Sequence, residues 1–221
     1  MPSNAMRFVY SSDRSLLLVF GDEISLEAQR DVLRLTPLLQ AVRAVVNVHP
    51  AYASILIEFN PLETGHCDLE RAAGELYAQA AIAPLPMPRT VEIPVCYGGD
   101  YGPDLQDVAA VVGRSPAEVV AIHSGADYLV CFLGFSPGFP YLSGMPESIA
   151  APRLATPRSR VPAGSVAIGG RQTGVYPLAS PGGWRIVGRT PLRLFQPSAD
   201  PPVLLGMGDH VKFVPISKDA F

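Results

Sequence analysis

Seven arginines and no carboxylate lie between Glu147 and Asp200: Arg153, Arg158, Arg160, Arg171, Arg185, Arg189 and Arg193. In a chain of formal net charge -3, that is a local excess of positive charge. Guanidinium forks match the planar geometry of carboxylates and the oxygens of phosphates. The same stretch is punctuated by glycine, which lets a backbone approach a ligand, and by proline, which stiffens the connecting turns. The chemistry on offer is recognition of a small anion. Two Gly-rich turns, AIGGRQTG and SPGGW, bring in Gln172, Thr173, Tyr176, Trp184 and Arg189, a set able to hydrogen-bond an amide and clamp an anion. Neither turn fits GxxxxGK[ST] or GxGxxG, and no lysine precedes Lys212, which excludes a P-loop. Without paired carboxylates or a metal-ligand cluster, this region contributes positioning and charge stabilisation.

His123 and Ser136 are the remaining candidates for direct chemistry. His123 ends an expected helix, where the dipole favours an imidazolium and a local structural role is available. General acid/base work or a substrate hydrogen bond near neutral pH is the functional alternative, with Asp127 the only acid nearby. Ser136 sits in GFSPG, which matches GxSxG, but Pro137 follows it and has no N–H to donate to an oxyanion. The serine-hydrolase reading is rejected on that ground. His49, His66 and His210 stand beside turns and read as solvated residues.

The elements that position these residues fall into two regions. RFVY and SLLLVF read as strands around the turn SSDR. Ser25 then caps a helix whose Leu26, Val32, Leu33, Leu35, Leu38 and Leu39 share one face. AVVNVHP and ASILIEF are further strands, and Asp68–Ala81 is a second amphipathic helix. This β-α-β-β-α order implies an α+β, ferredoxin-like domain over 6–85. Three prolines in Ala83–Thr90 mark a boundary. Beyond it VEIPVCYGG is a strand, followed by helices over Leu105–Val112 and Pro116–His123, the latter capped by Ser115. DYLVCFLGF, SVAIGG, TGVYPL, WRIVG, LRLFQP and HVKFVP are then short strands at turn-like intervals, the pattern of a mainly-β barrel over 90–221.

Composition narrows the class. Hydrophobic residues make up 48% and charged residues 17%, as in globular chains. No apolar run approaches the roughly 20 residues of a membrane span, and no secretory signal opens the chain. Met1–Ala5 reads as an expression remnant. Three cysteines without CxxC spacing fit a cytoplasmic protein and argue against disulfide or zinc frameworks. The slightly acidic balance gives no reason to expect nucleic acid.

The segments IPVCYGGDYGPDL, VVAIHSGADYLVCFLGFSPGFPYLSGMP and VPAGSVAIGGRQTGVYPLASPGGWRIVGRTPLRLF closely resemble the family of 5-oxoprolinase B subunits, also called allophanate hydrolase subunit 1, which includes a sporulation-kinase inhibitor. The resemblance runs over nearly the whole chain from Arg7. It implies a cyclophilin-like barrel after the small α/β domain. It also implies a carboxyltransferase-like partnership with the 5-oxoprolinase C subunit, which carries a related barrel, and with the A subunit. Such a complex opens 5-oxoproline to glutamate with ATP, which this chain need not itself bind. The resemblance further implies that His123 acts in catalysis; for the small amide-bearing acid it implies as substrate, side-chain chemistry suits Gln172 to catalysis and Arg158, Thr173, Tyr176, Arg189 and Tyr141 to substrate contact. No metal is implied. A component of an allophanate- or urea-type amidohydrolase or carboxylase, and an inhibitor of a histidine kinase, remain as alternatives.

Overall fold

The computed structural model describes residues 6–82 and 88–221. Met1–Ala5 and residues 83–87 of the expected boundary lie outside the described residues. The chain divides into two compact units, Met1–Met87 and Pro88–Phe221.

The first unit runs β1 (Arg7–Ser12), β2 (Ser15–Val19), α1 (Leu26–Gln40), β3 (Val45–Pro50), β4 (Ser54–Phe59) and α2 (His66–Ile82). Its strands form an antiparallel sheet in the order β1-β2-β4-β3. Period-2 alternation sends Leu16 and Leu18 of β2, and Ile55 and Ile57 of β4, to one fully buried face. Val32, Leu35 and Leu39 of α1 and Leu69 and Ala73 of α2 close that core. Ser25 caps α1 by accepting the Ala28 N–H at 3.1 Å. The unit is α+β and ferredoxin-like, as its hydrophobic pattern implies.

The second unit comprises β5 (Thr90–Tyr97), α3 (Leu105–Val112), α4 (Pro116–Gly125), β6 (Tyr128–Leu133), β7 (Pro140–Ser143), β8 (Arg158–Val161), β9 (Ser165–Gly169), β10 (Gln172–Val175), β11 (Ser180–Gly182), β12 (Arg185–Arg189) and β13 (His210–Pro215). A closed barrel forms in the order β10-β7-β6-β13-β5-β12-β9, while β8 and β11 pair apart from it. Strands β5 and β13 run parallel; the other barrel pairs are antiparallel. The barrel core is built from β-branched and aromatic side chains, among them Ile93, Val95, Val166, Ile168, Val187 and Phe213. Each such burial contributes on the order of 1.5–3 kcal/mol. Val108 of α3 and Val119 of α4 join the same core, so both helices are packed onto the barrel.

One expected strand is absent. LRLFQP forms no barrel strand: Leu194 turns into the core at 1% exposure, and Phe195 makes a single bridge to Val203. Pro191, Pro197, Pro201 and Pro202 deprive the segment of the N–H groups that a ladder needs. Strand β7, which the sequence pattern misses, pairs with β6 instead. Among the described residues no helix is long and apolar enough to cross a membrane.

Candidate functional site

His123 is delivered to the barrel core by α4. Ser115 and Glu118 form a reciprocal capping box, and Pro116 opens the first turn. Val119 and His123, four residues apart, are therefore on one face, and both are buried. The imidazole has no exposed surface. Thr173 of β10 donates its hydroxyl to the Ala167 carbonyl at 3.0 Å, so it receives the His123 Nε2–H at 2.9 Å. That leaves Nδ1 to accept the Tyr97 hydroxyl at 2.8 Å. Phe213 and Tyr128 pack on the ring at centroid distances of 4.7 and 5.5 Å. The Tyr128 hydroxyl also donates to the His123 carbonyl at 2.8 Å, satisfying one acceptor of the helix end.

Burial pushes the His123 pKa down to about 3. The helix-end dipole, worth at most about 2 kcal/mol, is outweighed by desolvation of the imidazolium. Tyr97 is pushed well above its ordinary range, mainly by burial. The three groups form a neutral, fully bonded chain in the core. What this arrangement does is lock Thr173, and with it β10, to α4 and β5.

Gln172, the neighbour of Thr173, begins β10 and pairs with Gly169 across the hairpin turn. Alternation along the strand puts its side chain on the opposite face from Thr173. The two residues therefore cannot share one ligand face through their side chains, and the Thr173 hydroxyl is already committed within the core.

Tyr176 and Tyr141 do come together, in an aromatic cluster with Phe139 and Trp184. Tyr176 is 3% exposed and its pKa is raised, chiefly by burial. Arg153 lies over the Trp184 ring, 5.7 Å from its centroid. The Gly-rich turns close against this cluster. A Cβ at Gly169 would lie 2.5 Å from the Trp184 ring, and one at Gly182 would lie 2.4 Å from the Tyr176 hydroxyl. Their close approach is thus to aromatic side chains of the same chain. Gly169→Ala is expected to displace the indole and cost about 1–3 kcal/mol, as overpacking does. Since Trp184 is the single tryptophan, a red-shifted emission with a lowered melting temperature checks this; an unchanged spectrum would refute it.

Arg158 is not free for an anion. Its Nη1 and Nη2 bind the two carboxylate oxygens of Asp104 at 2.9 and 2.7 Å, and the Ile186 N–H donates to Asp104 at 2.7 Å. Sequence reasoning misses Asp104 because it precedes the carboxylate-free stretch; its place just before the apolar run of α3 is the available signal. Arg171 and Arg185 are likewise paired, with Glu147 at 2.6 Å and Asp107 at 3.7 Å. Among the described residues Arg189 has no carboxylate partner. Its Nε donates to the Ala163 carbonyl at 2.8 Å, and its guanidinium lies 5.9 Å from the centroid of Phe221. It borders a cleft of about 490 Å³.

Ser136 is held in a tight turn, its N–H donating to Gly134 at 2.6 Å. The residue at left-handed φ is Phe135, at 62°, rather than the serine. Among the described residues the buried Ser136 hydroxyl has no hydrogen-bond partner. No nucleophile elbow is formed. Nor do three His, Cys, Asp or Glu side chains converge as a metal centre among the described residues.

Sequence comparison places these features in a family. The family described as "Carboxyltransferase domain, subdomain C and D" matches residues 6–205. The 5-oxoprolinase B subunit of Escherichia coli O157:H7 is 46% identical, over 92% of this chain and 93% of that protein. The 5-oxoprolinase B subunit of Bacillus subtilis (strain 168) is 41% identical, over 93% of this chain and 91% of that one. The crystal structure of TTHA0988 superposes with a TM-score of 0.82 at 38% identity, over 93% of this chain. This chain spans 40% of TTHA0988, so there the fold is part of a longer polypeptide. The chain belongs to the family of 5-oxoprolinase B subunits, or allophanate hydrolase subunit 1.

Proposed function

We propose that this chain is the B subunit of an ATP-dependent 5-oxoprolinase, acting in the cytoplasm with the A and C subunits to open 5-oxoproline to glutamate. Near-full-length identity to proteins of that name carries the reading. The site chemistry agrees with a partial active site: arginines in excess, and Gly-rich turns that match no phosphate-loop pattern. Opening a lactam develops negative charge on its carbonyl oxygen, and the Gln172 amide is of the type that stabilises such charge. Tyr176, Tyr141 and Arg158 then act as framework around the substrate, and Arg189 takes its carboxylate. For His123 and Thr173 the geometry supports a positioning role: they touch core atoms, and neither reaches a surface that substrate visits.

Phe135 is the aromatic best placed to meet a partner. It is 63% exposed, while Trp184 is 6% exposed. Holding a phenylalanine at positive φ costs about 1–3 kcal/mol, and such strain is retained where a side chain must project. Phe135 sits at 5.5 Å from Phe139, which backs it.

The pure chain is expected to show no turnover of 5-oxoproline. Activity should appear when the A and C subunits are added, measured as 5-oxoproline-dependent ATP hydrolysis with glutamate formed in equal amount. Turnover by the single chain, or none by the assembled complex, would overturn the proposal.

A further inference from the structure

The cleft at Arg189 is built for a charged head on an apolar body. Its walls include Pro177, Leu178, Leu192, Phe195 and Phe221, and Arg193 lines it as well. Leu178, Leu192 and Phe221 remain 40, 36 and 38% exposed, so apolar surface faces the open volume. The arginine is pre-oriented. Ala163 takes its Nε–H, and Phe221 lies under the guanidinium. The Nη atoms, with four N–H donors, make no hydrogen bond to any described residue beyond these contacts.

The turn that aims Arg189 depends on Gly164. At φ 81°, a Cβ there would lie 2.4 Å from the Thr190 carbonyl. Gly164 donates to the Tyr176 carbonyl at 2.7 Å and accepts from the Thr190 N–H at 2.9 Å. Leu192 N–H is taken by the Thr190 hydroxyl at 3.2 Å. With these three amides used internally, the guanidinium groups of Arg189 and Arg193 are the charged donors that line the cleft. A phosphate site ordinarily adds several free backbone N–H groups, whereas the planar fork of Arg189, with Arg193 also on the wall, is matched to a carboxylate. The volume of about 490 Å³ falls in the range of small-molecule sites.

We propose that this cleft binds a compact carboxylic acid, its carboxylate forked on Arg189 and its ring or aliphatic body against Leu192 and Phe221. This deepens the function proposed above and rests on it only for the identity of the acid, 5-oxoproline. It also separates the anion subsite from Arg158, which Asp104 neutralises.

Binding to the isotope-labelled full chain is followed by NMR, with 5-oxoproline, its methyl ester and cyclopentanecarboxylate as probes. Both acids should saturate and shift resonances of Arg189, Leu192 and Phe221; the ester should not. Arg189→Gln is expected to weaken both acids roughly 10- to 100-fold, the loss of a charge-assisted pair. Arg189→Lys keeps the charge without the fork and should fall between. Arg153→Gln, away from the cleft, should bind as wild type. In the reconstituted complex the same Arg189→Gln change should raise KM for 5-oxoproline by the same factor. Equal binding of acid and ester, wild-type affinity in Arg189→Gln, or no saturable binding of either acid overturns the inference, and the ester comparison needs no variant. Turnover with unaltered KM in Arg189→Gln would leave the 5-oxoprolinase function standing without this cleft. Arg189-dependent binding of cyclopentanecarboxylate in a complex that never turns over 5-oxoproline would do the reverse.

Discussion

His123→Ala is expected to cost the barrel about 3–8 kcal/mol. The deletion removes a ring packed on Phe213 and Tyr128, leaving a cavity in a fully buried site; buried truncations of that size cost about 2–5 kcal/mol. The Tyr97 hydroxyl, buried with the ring, loses its acceptor, and an orphaned buried donor adds about 1–3 kcal/mol. A domain with an ordinary margin of about 5–15 kcal/mol could lose most of its stability. His123→Gln, which can both donate to Thr173 and accept from Tyr97, should recover much of the loss. Urea denaturation of both variants decides the matter: an alanine variant within about 1 kcal/mol of wild type would refute the core role.

The same histidine makes stability depend on pH. Its folded pKa is about 3, against about 6.5 for an unfolded histidine. Between those values the unfolded chain binds a proton that the native chain does not, so stability falls as pH drops. The slope from this group reaches about 1.4 kcal/mol per pH unit, and above about pH 6.5 it vanishes. Urea midpoints of wild type should therefore decline from pH 6.5 to 4.5 more steeply than those of His123→Gln. Equal slopes would show that the imidazole is hydrated and titrating in the native state. In the assembled complex, a kcat/KM profile with the same limbs in wild type and His123→Gln is the matching outcome; loss of a limb near neutrality would reinstate an acid/base role.

Much of the first unit was legible because its burial is one-sided. Leu16 and Leu18, and Ile55 and Ile57, alternate in the way a half-buried sheet requires, and Ser25 announces the helix that covers them. In the second unit the strands β5, β6, β9, β10, β12 and β13 carry β-branched runs long enough to recognise. LRLFQP carried the same apolar signal, yet its prolines keep it out of the ladder. Strand β7, four residues opened by Pro140, is too short to give a period. The candidate residues split by the same physics. That Arg158 would be neutralised could not be seen, because Asp104 is separated from it by 54 positions. The burial of His123 could not be seen either, since a polar residue gives no sign of burial until its partners, Tyr97 and Thr173, are brought in from other strands. Arg189, by contrast, borders an open cleft and has no carboxylate partner among the described residues.

Asp104 and Arg158 supply the other large expected effect. The carboxylate is only 6% exposed and the guanidinium 31%. The two ends of the pair therefore respond differently to truncation. Arg158→Ala strands a buried charge with one remaining donor, the Ile186 N–H at 2.7 Å, and breaking a buried pair in this way costs about 3–5 kcal/mol. Asp104→Ala lets the partly exposed guanidinium hydrate, leaving the Ile186 N–H without an acceptor, so about 2–3 kcal/mol is expected. The double variant should cost less than the sum of the two, because each single change already breaks the same fork. A double-mutant cycle in urea measures this coupling; additivity within about 0.5 kcal/mol would mean that the pair contributes little as a pair. Kinetics in the assembled complex separate this structural effect from a direct one. If Arg158 only ties β8 to the start of α3, the Arg158→Ala and Asp104→Ala variants should shift KM for 5-oxoproline alike. A rise confined to Arg158→Ala would instead seat the substrate anion on that guanidinium.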